Sequence, residues 1–228
     1  MPVAGFQFTQ PRFVLTEGPD DKQFLEALVG QRQGMPAFQI RHAAECNDTR
    51  QGGRSGFRRS LDSSIRVLAG FSTLRAILIV GDNDEPSSFR DVQNEITVAG
   101  HTPPANVNTV GDILGKPIAV RMIPNAVALG DLESLSLPTI HATWPKARIC
   151  VPLFLRCTGA LTIFGKANWP RRSSISKARA RAATVGFNSV DPYKGIGYLF
   201  QNSTLSVQHE CFDDLAAFFQ NFDTFCGL

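Results

Sequence analysis

The stretch Ala76-Ile77-Leu78-Ile79-Val80 constrains the fold of this chain more than any other: five consecutive apolar residues that stop abruptly at Gly81-Asp82-Asn83-Asp84. A strand with one wet face alternates apolar and polar side chains. One that is apolar at every position must be covered by helices on both faces, the environment of a parallel sheet. The run is also far shorter than the roughly 18 apolar residues needed to cross a bilayer, and no other stretch approaches that length.

The flanking sequence supplies the rest of such a sheet. Arg12-Phe13-Val14-Leu15-Thr16 reads as a short buried strand ending at Glu17-Gly18, and Pro19 then stands where a helix can start without losing a hydrogen bond. Phe24, Leu25, Leu28 and Val29 follow at helical spacing. A strand is expected over Ala37 to Arg41. An amphipathic helix through Phe57, Leu61, Ile65 and Leu68, a helix from Ser88 to Val98 and a strand from Ile118 to Ile123 come next. This alternation predicts an α/β fold, a Rossmann-like, mainly parallel sheet with right-handed crossovers and flanking helices. Beyond Pro138 the pattern turns helical, with a basic helix over Ser173 to Ala183 and a final helix through Phe212, Leu215, Ala216 and Phe219. The expected organisation is a core over residues 10–138, with residues 139–228 a helical elaboration packed on it.

With 228 residues, 43% of them hydrophobic, the chain buries enough apolar surface to fold without covalent staples. Its five cysteines (Cys46, Cys150, Cys157, Cys211, Cys226) lack zinc or disulfide spacing, and its four histidines are isolated. Met1 to Gln10 lacks the pattern of a signal peptide, so a cytoplasmic protein with no membrane association is expected. The net charge is only +3, yet Ser134 to Val190 contains no acidic residue. It carries Lys146, Arg148, Arg156, Lys166, Arg171, Arg172, Lys177, Arg179 and Arg181. A one-signed field of that extent suits either a polyanionic partner or a solvated basic face.

In an open parallel sheet, functional groups gather outside the carboxyl ends of the strands. That rule puts Glu17 on the same edge as Asp82 and Asp84, with Asp21 one helical turn further on. Four converging carboxylates repel one another unless a cation neutralises them, and an all-oxygen donor set suits magnesium or manganese. Each piece also has a plainer reading. Asp20 and Asp21 suit the positive end of a helix, and Asp82 to Asp84 suit a turn that ends a buried strand.

Val14-Leu15-Thr16-Glu17-Gly18-Pro19-Asp20-Asp21 resembles the first motif of Toprim domains, a strand ending in Glu-Gly with an Asp four residues after the Glu. Ile77 to Asp84 resembles the second, a hydrophobic strand ending in Asp-x-Asp. Met122-Ile123-Pro124-Asn125 followed by Gly130-Asp131-Leu132-Glu133 is similar to a stretch in a little-characterised prokaryotic family of Toprim-like proteins. The Asp131-x-Glu133 pair also resembles the distal acidic pair of the OLD nucleases, and Ser176-Lys177-Ala178-Arg179 resembles the lysine-bearing segment that follows there.

The resemblance implies a nuclease that cleaves phosphodiester bonds with two magnesium or manganese ions. Glu17, Asp82 and Asp84 would hold one ion, and Asp21, Asp131 and Glu133 would help hold the other. Glu17, Asp82 and Lys177 would be catalytic, Lys177 by offsetting charge on the phosphate. Arg171, Arg172, Arg179 and Arg181 would position DNA or RNA. Anti-phage defence is the setting it suggests. Without a Walker A motif, any ATPase must be a separate chain. Glu85-Pro86-Ser87 departs from the topoisomerase form of the second motif, and only Tyr193 and Tyr198 are present. A primase-type zinc module is also missing. The alternatives are a non-catalytic Toprim-fold regulator of an ATPase, or a primase-type nucleotidyl transferase.

Overall fold

The strands β1 (Arg12–Thr16), β2 (Gln39–His42), β3 (Ala76–Asp82), β4 (Gly111–Ile113) and β5 (Lys116–Ile123) form one sheet, ordered β2-β1-β3-β5-β4. The computed structural model describes residues 6–159, 173–187 and 194–228 of the chain. β2, β1, β3 and β5 run parallel, and only β4 is antiparallel, paired to β5. The fold is α/β, a mainly parallel Rossmann-like sheet flanked by helices, as the alternation of apolar segments requires.

Helices cover both faces, which is why β3 is apolar at every position from Ala76 to Val80. Val14, Leu78, Val80, Ala119 and Ile123 point to one face. They pack there on α1 (Pro19–Gln31), α5 (Leu132–Thr143), α6 (Ala147–Cys157) and α7 (Ser173–Phe187), and on α8 (Ile196–Gln201), α9 (Asp213–Gln220) and α10 (Phe222–Cys226). Phe13, Leu15, Ile77, Ile79, Ile118, Val120 and Met122 point to the other face, against α2 (Ala43–Cys46), α3 (Arg54–Ser60) and α4 (Ser88–Val98).

The expected helix through Phe57, Leu61, Ile65 and Leu68 is broken. α3 ends at Ser60, whose hydroxyl donates back to the carbonyls of Gly56 (2.9 Å) and Ala43 (3.1 Å), and a 3-10 turn over Ser63–Val67 follows. Side-chain hydroxyls that bond backbone carbonyls compete with helix continuation. Phe57, Leu61 and Ile65 are buried all the same. β4 was not anticipated. It joins β5 through Leu114 (φ +53°) and Gly115 (φ +79°), whose positive φ values match the twist of a tight hairpin.

The C-terminal helices share a core with the sheet, and a boundary at residue 138 falls inside α5. Phe24 of α1, Phe200 of α8 and Phe212 form a ring cluster with centroids 5.0 to 5.4 Å apart. Truncating one such buried ring to alanine costs about 3–5 kcal/mol. Arg32 at the end of α1 donates to the carbonyls of Val207 (2.8 Å) and His209 (2.9 Å) and pairs with Asp213. Arg12 of β1 pairs with Asp223 of α10. No helix among the described residues is long and apolar enough to cross a membrane.

The strand order fixes where a site can lie. From β1 the chain crosses by α1 to β2 on one side, and from β3 it crosses by α4 to β5 on the other. The β1/β3 pair is therefore the switch point of the sheet, where diverging connections open a crevice at the carboxyl ends.

Candidate metal centre

A cleft of about 290 Å³ occupies that crevice, lined by Glu17, Gly18, Pro19, Asp20, Asp21, Gly53, Asp82, Leu132, Glu133 and Lys177. Thr16 pairs with Val80 in the β1–β3 register, so Glu17 and Gly81 emerge side by side. A Cβ on Gly81 would stand 2.9 Å from Oε1 of Glu17, so glycine leaves the space that the carboxylate fills. Oε1 of Glu17 also accepts the backbone N–H of Asp82 (3.2 Å). One residue on, the side chain of Asp82 lies on the α1 and α5 side, where its Oδ1 accepts the N–H of Leu132 at the start of α5 (3.3 Å).

Asn83, between the two aspartates, anchors the loop that delivers the next acidic pair. Its amide donates to the carbonyls of Asn125 and Ala128, both at 3.1 Å, and its carbonyl accepts from Gly130 N–H (2.8 Å). Asp131 follows with extended backbone as the N-cap of α5. Its Oδ1 accepts Ser134 N–H (2.9 Å) and its Oδ2 accepts the hydroxyl of Ser176 (3.1 Å). Asp131 is thus fully buried and committed to hydrogen bonds, while Glu133 reaches the cleft.

On the α1 side, Asp21 Oδ2 accepts Gly18 N–H (3.1 Å). Asp20 packs against α8, where side chains at Gly195 or Gly197 would overlap it. Asp20's own pKa is raised by burial, against the effect of the Gly197 N–H and of Arg181 and Lys177.

The electrostatics follow from crowding. Burial, then the charges of Glu17 and Glu133, push Asp21 up to about 7. Burial, then Asp131, push Glu133 up to about 7 despite Lys177. Asp82 is raised well above the ordinary range by burial, then by Asp21 and Glu17. Burial works to lower the pKa of Lys177, but the combined field of Glu133, Asp82, Asp131 and Asp21 prevails and raises it.

A residue that the sequence did not single out sits opposite. Arg54 opens α3 after Gly53, whose φ of +68° turns the chain and whose N–H donates to the carbonyl of Glu17 (2.9 Å). Arg54 Nε donates to Glu17 Oε1 (3.1 Å), and Nη2 donates to the Asp82 carbonyl (2.8 Å) and to Asp84 Oδ1. Nη1 lies 3.6 Å from Asp91. Asp84 lies behind the cleft, held by Arg54 and the Ser88 hydroxyl (3.2 Å). Burial raises the pKa of Glu17, and Arg54 opposes the rise.

Of the expected site residues, Glu17, Asp21, Asp82, Glu133 and Lys177 line the cleft, while Asp84 and Asp131 lie behind its lining. Among the described residues, no three acidic, His or Cys side chains already stand in a metal-binding arrangement. Arg181 lies on the cleft side of α7, within the field of Asp20, with its Nη1 donating to the Lys194 carbonyl (2.9 Å). Arg179 lies elsewhere, within reach of His141, whose pKa burial, Arg148 and Arg179 lower. Arg171 and Arg172 fall outside the described residues, as does Lys166. Arg179 and Arg181 thus face different neighbours from α7.

Searches of the curated proteins and of the solved structures returned no match. A family model described as "Protein of unknown function (DUF3226)" matches residues 11–223, spanning the sheet and nearly all of the C-terminal helices. The chain belongs to that family.

Proposed function

We propose that this protein is a magnesium- or manganese-dependent phosphodiesterase that cleaves nucleic acid. The observation that carries the reading is the cleft at the β1/β3 switch point, where Asp21, Asp82 and Glu133 face Lys177 with carboxyl pKa values raised by burial and crowding. The donor set fits a hard divalent cation: every acidic lining group is a carboxylate, and binding would relieve the repulsion that now favours protons. Asp82, Asp21 and Glu133 would hold the ion, which when bound polarises a phosphoryl oxygen and lowers the pKa of water.

The protein's own residues would do the rest. Leu132 N–H orients Asp82 through its Oδ1. Asp131 positions Glu133 by capping α5 and binding Ser176, one residue before Lys177. Lys177 would offset charge developing on the phosphate, and Arg181 would steer the polyanion toward the cleft. In the same reading the protein works in the cytoplasm, on DNA or RNA, in defence against phage, with any ATPase supplied by another chain.

The pairing of Glu17 and Asp84 with Arg54 favours a second reading, a Toprim-like regulator without turnover. One experiment separates the two. The purified protein is incubated with single- and double-stranded DNA and RNA, and with labelled nucleotides, with and without manganese. Metal-dependent cleavage that disappears in Asp82→Asn is expected. Template-directed incorporation would point to a transferase, and no turnover with any substrate would leave the regulator.

A further inference from the structure

The carboxylates at this edge are neutralised unequally. Arg54 directs its guanidinium at Glu17 and Asp84, at the carbonyl of Asp82 and toward Asp91, so all three of its nitrogens are engaged. The pairing is internal: the side chains of Arg54 and Glu17 are 17% and 18% exposed and that of Asp84 only 4%. Among the described residues no guanidinium pairs with Asp21, Asp82 or Glu133, and the cation that lines the cleft with them is the ammonium of Lys177.

We infer that Arg54 is a resident cation filling one half of the carboxylate cluster, so that the site takes one divalent ion, at Asp82, Asp21 and Glu133, and not two. The inference rests on the ion-dependent reading above. An arginine does not lose its proton within any working pH range, so it cannot make way by deprotonating. An ion that took Glu17 and Asp84 as ligands would have to expel the guanidinium and leave a buried charge without a partner. The backbone opposes that movement. Gly53 N–H clamps the start of α3 to the Glu17 carbonyl, and Gly81 seats the Glu17 carboxylate beneath Arg54. Arg54 is then a positioning residue that holds Glu17 and the end of β3, while the ion sits on the Lys177 side.

The test is a count of bound Mn²⁺ on the intact chain, by equilibrium dialysis with metal analysis and by the fall of the free-ion paramagnetic resonance signal. One ion per chain is expected for the wild type, one for Asp84→Asn and none for Asp82→Asn. Arg54→Gln, checked for folding by circular dichroism, is expected to bind a second ion. Two ions on the wild type would overturn the inference and leave the proposed phosphodiesterase standing. No ion on the wild type would overturn both. A folded Arg54→Gln that still binds one would show that Arg54 excludes nothing. Should Arg54→Gln not fold, the wild-type and Asp84→Asn counts decide, because loss of the ion in Asp84→Asn would put Asp84 among the ligands.

Discussion

The two sides of β3 present the same chemistry, buried carboxylates at a strand end, and the chain treats them differently. On the α3 side, Glu17 and Asp84 are tied to a guanidinium delivered by a glycine-led helix start. On the α5 side, Asp21, Asp82 and Glu133 are held by backbone N–H groups and N-cap geometry, with one lysine facing them across the cleft. In the first arrangement a cation within the protein meets the carboxylates, although Glu17 also lines the cleft. The second stores repulsion, and its carboxyl groups hold protons at pH values where ordinary carboxylates are ionised. Stored repulsion is what a cation from solution can relieve.

The largest effect expected from this contrast is on stability. Arg54→Met should destabilise the apo protein by about 3–5 kcal/mol, because Asp84 and Glu17 would remain buried without a cation. Chemical denaturation at neutral pH measures it. A loss within experimental error would mean that the α3 side is as loosely neutralised as the other. Asp82→Asn should behave oppositely, leaving apo stability unchanged or slightly higher, since it relieves crowding. The proposed nuclease turnover should drop by about a hundredfold or more. A loss of apo stability with unchanged metal affinity would make Asp82 structural.

Lys177→Ala sharpens the comparison from across the cleft. Turnover should fall by about a hundredfold while nucleic-acid affinity changes little, the pattern of a group that acts on the transition state. Single-turnover cleavage and fluorescence anisotropy on one substrate separate the two quantities. Equal losses in both would reduce Lys177 to part of a basic surface.

The pH dependence distinguishes the halves more gently. Asp21 and Glu133 rise to about 7 in the folded protein from ordinary values of 3.8 and 4.5. Native carboxyls that keep protons the unfolded chain has lost add stability at low pH, and that stability disappears as pH rises through the folded values. Apo melting temperature should therefore fall between about pH 4 and 7 from these groups. Saturating Mn²⁺ should flatten or reverse the trend, because ligands must be deprotonated. A melting temperature that rises over that range without metal would contradict the crowded-cluster account.

The smallest effect concerns α7. Arg181→Ala should flatten the dependence of nucleic-acid affinity on salt by about one unit of slope, as one phosphate contact is lost. Arg179→Ala, on the His141 side of the helix, should leave the slope unchanged. Equal changes would place both on one binding surface.

Much of the fold was legible in short stretches of sequence. β1, β3, β5 and α4 are where apolar runs and spacing place them, because each signal is local and both faces of the sheet are buried. Glu17 and Asp82 were found because Glu-Gly and Gly-Asp end these strands and strand ends share an edge, whereas Asp131 and Glu133 came from the family resemblance. Other features were hidden. β4 turns at Leu114-Gly115, and a leucine with positive φ carries no turn signature. α3 stops at Ser60 although the apolar spacing runs on to Leu68, because hydroxyl and backbone groups compete for the same carbonyls.

The sequence by itself determined the class of fold and the sheet edge at which Glu17, Asp21 and Asp82 gather. These depend on periodicity and strand termini, which are properties of a few consecutive residues. Only the tertiary structure decided which of those acids line the cleft and which of them a built-in cation meets. Arg54 lies 37 residues from Glu17 and 30 from Asp84 along the chain, one of 23 basic side chains with nothing in its neighbours to mark it. Charge pairing across the end of a sheet depends on strand order and on how a crossover helix begins, and neither is written in the residues that pair.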